Sequence, residues 1–380
     1  MFSKKHRNQL YQAGFVAALI ILIGSFLVTA HSNLTRQGIT SGFGFLERGT
    51  GWDLGFSFLP FQISDPYWWT LTLGMLNTVI VGYLAITLAT FLGVGLASMR
   101  VSGNPVLNRV ALAYVELIRN VPPILQVLAW YALFTSFPAP REALHLGEVV
   151  FLSARGVFLP ALHISGPGLA ASALIVIFTV AALLWVGLFH RFSYVPFTKK
   201  LGLDGCIVAI AAILALGVIA ATRISDSTLM TFPTLNGFNF SGGTQIPPEL
   251  ITILVSTMVY GSAYIAEVVR GGFLSVDPGK IEAGRALGMS NWLIFSRIQL
   301  PLTVRNILPM MTNQYVWLIK ATTLGIAVGF GDLFMVVVSS INQSGQTMEL
   351  ILILACAFWL LNGTLVWIMN GINNKLQRRS

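Results

Sequence analysis

The sequence predicts an all-α membrane protein that crosses the bilayer about eight times. Apolar residues make up 55% of the 380 residues and charged residues only 10%, whereas a soluble domain carries about 25% charged residues. The mean hydropathy is +0.76. Charge-free stretches of roughly 20 residues, the length that crosses about 30 Å of hydrocarbon, recur along the chain. This composition excludes both a water-soluble fold and a disordered chain.

Eight stretches are long and apolar enough to be spans. They lie at 13–30, 72–98, 118–137, 168–189, 205–222, 249–270, 304–326 and 348–370. Lys320 interrupts the seventh, and we expect the helix to break near Thr322, Thr323 and Gly325, where freed backbone groups line a cavity. The fourth and fifth spans carry no charge and are predicted to be peripheral, lipid-facing helices.

The first span has two interpretations. Lys4 and Lys5 before an apolar run, followed by Val28-Thr29-Ala30, are also the pattern of a cleaved signal peptide. The run of about 18 residues exceeds the usual apolar region of roughly 7–15 residues in such peptides. A retained helix is therefore the favoured interpretation.

The basic residues predict the orientation. With the N-terminus inside, 15 of the 23 Lys and Arg residues fall in inside segments and five in outside segments, and Arg119, Arg270 and Lys320 lie in or beside spans. Basic residues accumulate in cytoplasmic loops. Both termini are thus predicted to be cytoplasmic, and the net charge of +9 reports topology rather than nucleic-acid binding.

The spans suggest four parts of the chain. They are an N-terminal helix with an outer loop (1–69), the first part of a core (70–137), an insertion of loops and two peripheral helices (138–248), and a second core part (249–375) that contains a long cytoplasmic loop (277–301).

No motif for covalent chemistry is visible. The sequence contains no phosphate-binding G-x-x-x-x-G-K-[ST] loop, no H-E-x-x-H, no C-x-x-C and no G-x-S-x-G. We assign no catalytic residue and no metal ligand.

The loop 277–301 is the most informative stretch. Asp277 is a good N-cap with Pro278 at the first helical position, and Gly288 is suited to end that helix in the left-handed conformation. Ser290 caps a second helix that we expect Pro301 to stop. Two capped helices exceed what a connection between spans requires, so we predict a docking role, with the small residues admitting a partner.

The same loop carries the residues of a known pattern. They are Glu282, Ala283, Gly284, Gly288, Ile298, Leu300 and Pro301. Their spacing resembles the E-A-A-x3-G-x9-I-x-L-P loop of ABC-importer permeases, with Gly284 in place of the second alanine. The resemblance implies a type I importer core whose loop sits in a groove of an ATPase. It also implies that ATP and Mg²⁺ bind that partner and that this chain holds no cofactor.

Further motifs point to one subgroup. The stretches 264–272, 114–122 and 320–324 resemble those of the polar amino acid (histidine/glutamine) permeases, and the insertion is similar to the general L-amino acid branch. This resemblance implies a bacterial inner-membrane protein. Its implied partners are an ATP-binding subunit, a second permease (a paralogue rather than a copy of itself), a periplasmic amino-acid-binding protein and membrane lipid, without nucleic acid.

Two acid–base pairs share a spacing. Glu116 with Arg119 and Glu267 with Arg270 are each three residues apart, so each pair shares a helix face. Each pair is either a local ion pair that anchors a helix end or one half of an inner gate in which the pairs exchange partners.

Polar residues within spans are candidates for a substrate pathway. Lys320 either contacts a substrate carboxylate or pairs with Asp332, with the latter favoured, and Thr322 and Thr323 lie beside it. Asn77 and Gln126 either line the pathway or make hydrogen bonds between helices.

The function predicted from the sequence is the membrane permease subunit of an ATP-driven importer of L-amino acids. An ion-coupled secondary transporter is the alternative, although it leaves the docking loop unexplained. A membrane-embedded enzyme would need a nucleophile, a metal set or a cofactor loop that the sequence does not show.

Overall fold

The computed structural model describes residues 4–36, 42–147, 149–162, 175, 179, 197–222 and 230–377. Helices dominate this part of the chain. They are α1 (Lys4–Arg36), α2 (Tyr67–Val101), α3 (Pro105–Asn120), α4 (Pro123–Thr135), α5 (Phe197–Thr222), α6 (Pro248–Leu274), α7 (Pro278–Ala286), α8 (Asn291–Ile294), α9 (Leu300–Ala321), α10 (Leu333–Ser344) and α11 (Thr347–Gln377).

Within these ranges, three helices are long and apolar enough to cross a membrane alone, namely α2, α6 and α11. Two bent helix pairs pass the same test when each is taken as one span: α3 with α4, and residues 291–328 with α10. The predicted spans 13–30 and 205–222 fall in α1 and α5, whose apolar stretches are shorter (Tyr11–Phe26 and Cys206–Val218). Apart from residues 175 and 179, the predicted span 168–189 lies outside the described residues.

The predicted third span, 118–137, is wrong as a continuous helix. The chain breaks between α3 and α4, whose axes differ by 104°. Val121 and Pro122 adopt extended backbone conformations because each precedes a proline, which disfavours helical geometry. Helix α3 is strongly amphipathic and packs Ala111 and Val115 against α2 and α6.

The helix break predicted in the seventh span is confirmed. The α-helix ends at Ala321, and residues Thr322–Val328 continue as a 3₁₀-helix. The structure then adds a helix between the predicted spans 304–326 and 348–370, where none was predicted, since α10 begins at Leu333 with Asp332 as its N-cap.

The core is centred on α2 and α6, which make the most extensive helix–helix contact of the described chain. Glycine permits their close approach. A β-carbon at Gly93 would lie 2.7 Å from Ile265 Cγ2, and one at Gly261 would lie 3.1 Å from Ala89 Cβ. The two helices run parallel, so the segments before α2 and α6 lie at the same end of the core.

The insertion 138–248, predicted as loops with two peripheral helices, also contains short strands, which the all-α prediction did not include. They are β1 (Leu144–Leu146), β2 (Val150–Ser153), β3 (Gly156–Leu159), β4 (Ala161–Leu162), β5 (Met230–Thr231), β6 (Thr234–Asn236), β7 (Asn239–Ser241) and β8 (Thr244–Ile246). Antiparallel pairing gives one four-stranded sheet in the order β1-β2-β3-β8 and two ribbons, β4-β5 and β6-β7. Left-handed glycines such as Gly147 and Gly237 form the hairpin turns.

The core has two ends, each named for the segment beside it. The loop end is the end next to residues 277–301, and the strap end is the end next to residues 42–66. The four-part division of the chain stays a prediction.

Candidate functional site

Helix α6 provides a scale along which the site can be described. Glu249 and Arg270 are separated by 21 residues of helix, or about 32 Å at 1.5 Å per residue, close to the hydrocarbon thickness. Between them, α6 passes an aromatic layer and a cavity.

The loop end is closed by charged groups. Arg100 at the end of α2 donates a hydrogen bond from Nη1 to Glu267 Oε1 at 2.6 Å. Arg270 donates from Nη2 and Nε to Glu267 Oε2 at 2.9 and 3.1 Å. One carboxylate therefore holds two guanidinium groups and ties α2 to α6.

The two predicted gate pairs are not equivalent. Glu267 and Arg270 form an ion pair, but within the described residues Glu116 forms none. The Arg119 guanidinium instead lies over the ring of Tyr264, 5.1 Å from its centroid. Of the two alternatives for Glu116 and Arg119, the local ion pair does not form in this structure, because the end of α3 brings Arg119 against an aromatic face. The gate alternative stays a prediction.

An aromatic layer lies next along α6. The hydroxyls of Tyr260 and Tyr264 are 3.0 Å apart, and the ring of Tyr260 stacks on Trp317 of α9 at 4.7 Å between centroids. Together with Arg119, these rings separate the charged groups of the loop end from the centre of the core.

A cavity lies beside this layer, between α4, α6, α9 and the 3₁₀-helix. Its lining residues are Pro123, Val127, Ser256, Thr257, Tyr260, Trp317, Ala321 and Leu324. Ser256 and Tyr260 lie about 10 and 17 Å from Glu249 along the helix, near the middle of the span. The wall thus combines two aromatic rings and two hydroxyls, with a guanidinium one layer away.

The strap end is closed by apolar and aromatic side chains. A buried cluster contains Val81, Val127, Leu250, Ile253, Val328 and Phe330, with Phe56, Phe58, Tyr131, Ile246 and Leu324 packed against it. Val127 and Leu324 belong to both the cluster and the cavity wall, so the cluster lies directly over the cavity. Beyond it, the hydroxyl of Tyr131 donates to Glu249 Oε1 at 3.1 Å.

The predicted pathway residues Asn77 and Gln126 make structural hydrogen bonds. Asn77 is fully buried and donates from Nδ2 to the carbonyl oxygens of Phe56 at 3.1 Å and Gly331 at 2.8 Å. Gln126 donates from Nε2 to the carbonyl oxygens of Ile118 and Val121 at 2.8 and 3.0 Å, across the α3–α4 break. Of the two alternatives left open by the sequence, these contacts favour hydrogen bonding between segments.

The favoured pairing of Lys320 with Asp332 is wrong. Asp332 is fully buried and accepts hydrogen bonds from Met335 N at 2.9 Å and Thr322 Oγ1 at 3.2 Å. Its carboxylate is needed as the N-cap of α10. Lys320 is exposed, and Thr323 Oγ1 donates to its carbonyl oxygen at 2.7 Å.

The structure has the helix caps that the sequence predicts for the loop 277–301. Asp277 Oδ1 accepts from Gly279 N at 3.0 Å, Ser290 Oγ accepts from Leu293 N at 3.3 Å, and Gly288 has φ +74°. The expected stop at Pro301 is wrong. A π-helical turn (Phe295–Gln299) joins α8 to α9, and Pro301 occupies the first turn of α9, where it needs no N–H donor.

The seven motif residues of this loop divide into two groups. Gly284 is buried, and a β-carbon there would lie 2.9 Å from Ile298 Cδ1, so it admits a side chain of its own chain rather than a partner. Ile298, Leu300 and Pro301 are partly buried, and Leu300 packs in the α2–α6–α9 core. Glu282, Ala283 and Gly288 are exposed, beside Leu287 and Trp292, which are 81% and 70% exposed.

A family model described as the binding-protein-dependent transport system inner membrane component matches residues 85–378. The match covers more than three quarters of the chain, including the cavity and the loop 277–301. The chain belongs to this family. The sequence resemblance to ABC-importer permeases is thereby confirmed, and the chain is a multi-pass inner-membrane component of a transport system.

The similarity to three named relatives covers almost the whole chain. It is 34% identical over 374 residues to the putative amino-acid ABC transporter permease protein YhdX of Escherichia coli strain K12, across 97% of this chain and 94% of that protein. It is 31% identical over 383 residues to the general L-amino acid transport system permease protein AapQ of Rhizobium johnstonii, across 99% and 94%. A glutamate/glutamine/aspartate/asparagine transport system permease protein, BztB of Rhodobacter capsulatus, is 26% identical across 96% and 91%.

Several residues of the site were missed by sequence reasoning. Arg100 was counted only as a basic residue of an inside loop, and Tyr260, Trp317 and Tyr131 were not considered. The spacing of Tyr260 and Tyr264, four residues apart on one helix face, was a usable signal. Nothing local marked Trp317, whose role depends on the packing of α9 against α6.

Proposed function

We propose that this chain is the permease subunit of an ATP-driven importer of L-amino acids of polar or broad range. The observation that carries the proposal is the likeness to AapQ over 99% of the chain, together with the family match. The names of YhdX and BztB support the same substrate class. The ion-coupled alternative receives no support from these relatives.

The loop end is proposed to face the cytoplasm, with both termini. The bias of 15 inside basic residues among 23 supports this orientation. Under it, Arg100, Glu267 and Arg270 form the cytoplasmic closure of the pathway, and the strap end faces a periplasmic amino-acid-binding protein.

The exposed face of α7 and α8 is proposed to dock on an ATP-binding subunit. Leu287 and Trp292 leave most of their apolar surface in solvent, and the Trp292 ring stacks on Phe295 at 5.8 Å, which fixes its direction. Phe295 in turn stacks on Phe273 of α6 at 6.0 Å. In this proposal, a displacement of Trp292 by the docked subunit moves Phe295 and then Phe273, and so reaches α6, the helix that carries Glu267.

The cavity, which in this closed arrangement has room for about one water molecule, is proposed to widen into the substrate chamber. An α-amino acid presents a carboxylate that suits a guanidinium such as Arg119, and an ammonium that suits the faces of Tyr260 and Trp317. The hydroxyls of Ser256 and Thr257 offer further hydrogen bonds. The chain performs no covalent step in this proposal, because ATP and Mg²⁺ are bound and used by the partner subunit.

A second permease completes the pathway, and a paralogue is proposed rather than a second copy of this chain. Uptake that stops on ATP depletion and survives collapse of ion gradients is the expected behaviour. Uptake that follows an ion gradient instead would support the secondary transporter.

The docking proposal is tested with Trp292→Ala in the intact complex. A buried tryptophan anchor contributes about 2 kcal/mol or more to an interface, so we expect copurification of the ATP-binding subunit to fall at least about tenfold. Trp359→Ala is the matched control, because Trp359 is 74% exposed on α11. Equal retention of the ATP-binding subunit by both variants would refute the docking face.

A further inference from the structure

The segment between α1 and α2 forms a loop with a closed base. Thr50 N donates to Asp65 O and Gly51 N to Ile63 O, both at 3.0 Å, and Gly49 bridges Pro66. Residues 51–63, here called the strap, leave and return at this base, in the manner of an Ω-loop. Gly51 has φ +74°, a backbone conformation that glycine adopts without strain.

The tip of the strap is inserted into the core. Leu54 is only 1% exposed and packs against Leu73, Leu333 and other residues of α2, α10 and α11. Gly331 makes this approach possible, because a β-carbon there would lie 2.7 Å from Leu54 Cδ1 and 2.9 Å from Leu54 O.

The next residues of the strap cover the cavity. The rings of Phe56 and Phe58 meet edge to face at 5.0 Å and pack on the cluster that includes Val127 and Leu324. Those two side chains also line the cavity. A solute entering from the strap end therefore meets the strap before it reaches Ser256.

Few bonds hold the strap in this position. At the base, Thr50 Oγ1 donates to Ile63 O at 3.2 Å and Gln62 N donates to Asp65 Oδ2 at 2.8 Å. Away from the base, and within the described part of the chain, side chains outside the segment reach its backbone through two hydrogen bonds, from Asn77 Nδ2 to Phe56 O at 3.1 Å and from Trp69 Nε1 to Pro60 O at 3.4 Å. Asn77 also donates to Gly331 O, next to Asp332 at the break between α9 and α10. The side-chain amide of Asn77 is thus hydrogen-bonded both to the strap and to the segment that joins α9 to α10.

We infer that the strap is a lid over the substrate chamber, which swings on the base at residues 49–51 and 63–66 and opens when substrate enters. The backbone hydrogen bonds close the base, and the rest of the segment is held mainly by apolar contacts, so it can move as one unit about the base, as lids over binding sites do. The shared bonds of Asn77 link lid opening to a rearrangement at the α9–α10 break. This inference rests on the proposed function, since it assigns the lid to the amino-acid chamber.

The test locks the lid. In a background with Cys206→Ala and Cys356→Ala, which removes two exposed cysteines, Leu54→Cys and Gly331→Cys are close enough for a disulfide, because a β-carbon at Gly331 would lie 3.1 Å from Leu54 Cγ. That β-carbon would also lie 2.9 Å from Leu54 O, so Gly331→Cys alone is the control for displacement of the strap. The full importer is reconstituted in liposomes with its partner subunits, and uptake of radiolabelled L-glutamine is measured. We expect at least about tenfold loss on oxidation and recovery on reduction.

The outcomes separate the two proposals. Full uptake by the oxidised, cross-linked protein overturns the lid and leaves the proposed function standing. Absence of ATP-driven amino-acid uptake in the cysteine-free parent overturns the proposed function instead.

A second measurement reads lid opening without uptake. Phe58→Cys in the same background is labelled with a membrane-impermeant maleimide added from the strap side. Labelling at least about tenfold faster with ATP and loaded binding protein than at rest supports a lid. Equal rates in both conditions overturn it, whatever the uptake assay shows.

Discussion

The two ends of the cavity are closed by different chemistry. At the loop end, Glu267 holds Arg100 and Arg270 with hydrogen bonds of 2.6 to 3.1 Å, and the three side chains remain 12–30% exposed. At the strap end, aromatic and aliphatic side chains pack over the cavity, and polar contacts such as that of Asn77 are few.

This difference indicates how each end of the cavity can open. Charged partners that water can still reach can exchange one ion pair for another, because solvent bonds to the groups while they are separated. An apolar cluster instead separates as a body, since its contacts are non-directional and are lost together. A switch of ion pairs therefore suits the end that meets the ATP-binding subunit, and a lid suits the end that admits substrate.

Substitution of Glu267 is the most direct test of this difference between the two closures. Glu267→Gln keeps the shape and removes the charge that two guanidinium groups share, which costs about 1.5–3 kcal/mol. We expect uptake to fall about tenfold or more, together with a lower thermal unfolding midpoint. Glu116→Gln is the matched control and should lie within about 0.5 kcal/mol of the parent. If both variants lose the same activity, the two pairs act alike and the closure does not depend on Glu267.

The strap end is tested at Asn77. Asn77→Ala leaves the buried carbonyl oxygens of Phe56 and Gly331 without their donor, so the free energy of unfolding should fall by about 1–3 kcal/mol. Asn313→Ala, at an exposed position of α9, should change it by less than about 0.5 kcal/mol. Thermal unfolding in detergent measures both. A neutral Asn77→Ala would mean that the strap is held by packing alone.

A smaller effect is expected at Tyr131. Tyr131→Phe retains the ring in the cluster and removes the hydrogen bond to Glu249, which contributes about 0.5–1.5 kcal/mol. We expect a small loss of stability and unchanged uptake. A loss of uptake as large as that of Glu267→Gln would show that the strap end also depends on a polar latch.

Local rules predicted the caps of the loop 277–301 well. Asp277, Ser290 and Gly288 have the roles that residue type and spacing indicate, because an N-cap and a left-handed turn depend on neighbours within four residues. The break at Ala321 was also predicted. Pro122 and Pro123 carried an equally local signal for the α3–α4 bend, which the apolar run around them obscured.

Long-range contacts were not accessible in this way. Asn77 and Gly331 are 254 residues apart, and no local pattern pairs them. Asp332 was predicted to pair with Lys320, but its carboxylate instead caps the N-terminus of α10. Gly284 and Ile298 belong to one motif, yet only their packing shows that they face each other.

The central claim, that one chamber is opened alternately from its two ends, is tested most directly by a cysteine inside it. Ser256→Cys is introduced without Cys206 and Cys356, and its modification by impermeant maleimides added from either side of the reconstituted importer is measured. The account predicts labelling from the strap side in one nucleotide state and from the loop side in the other. Simultaneous labelling from both sides in one state, or labelling from the same side in every state, would contradict it.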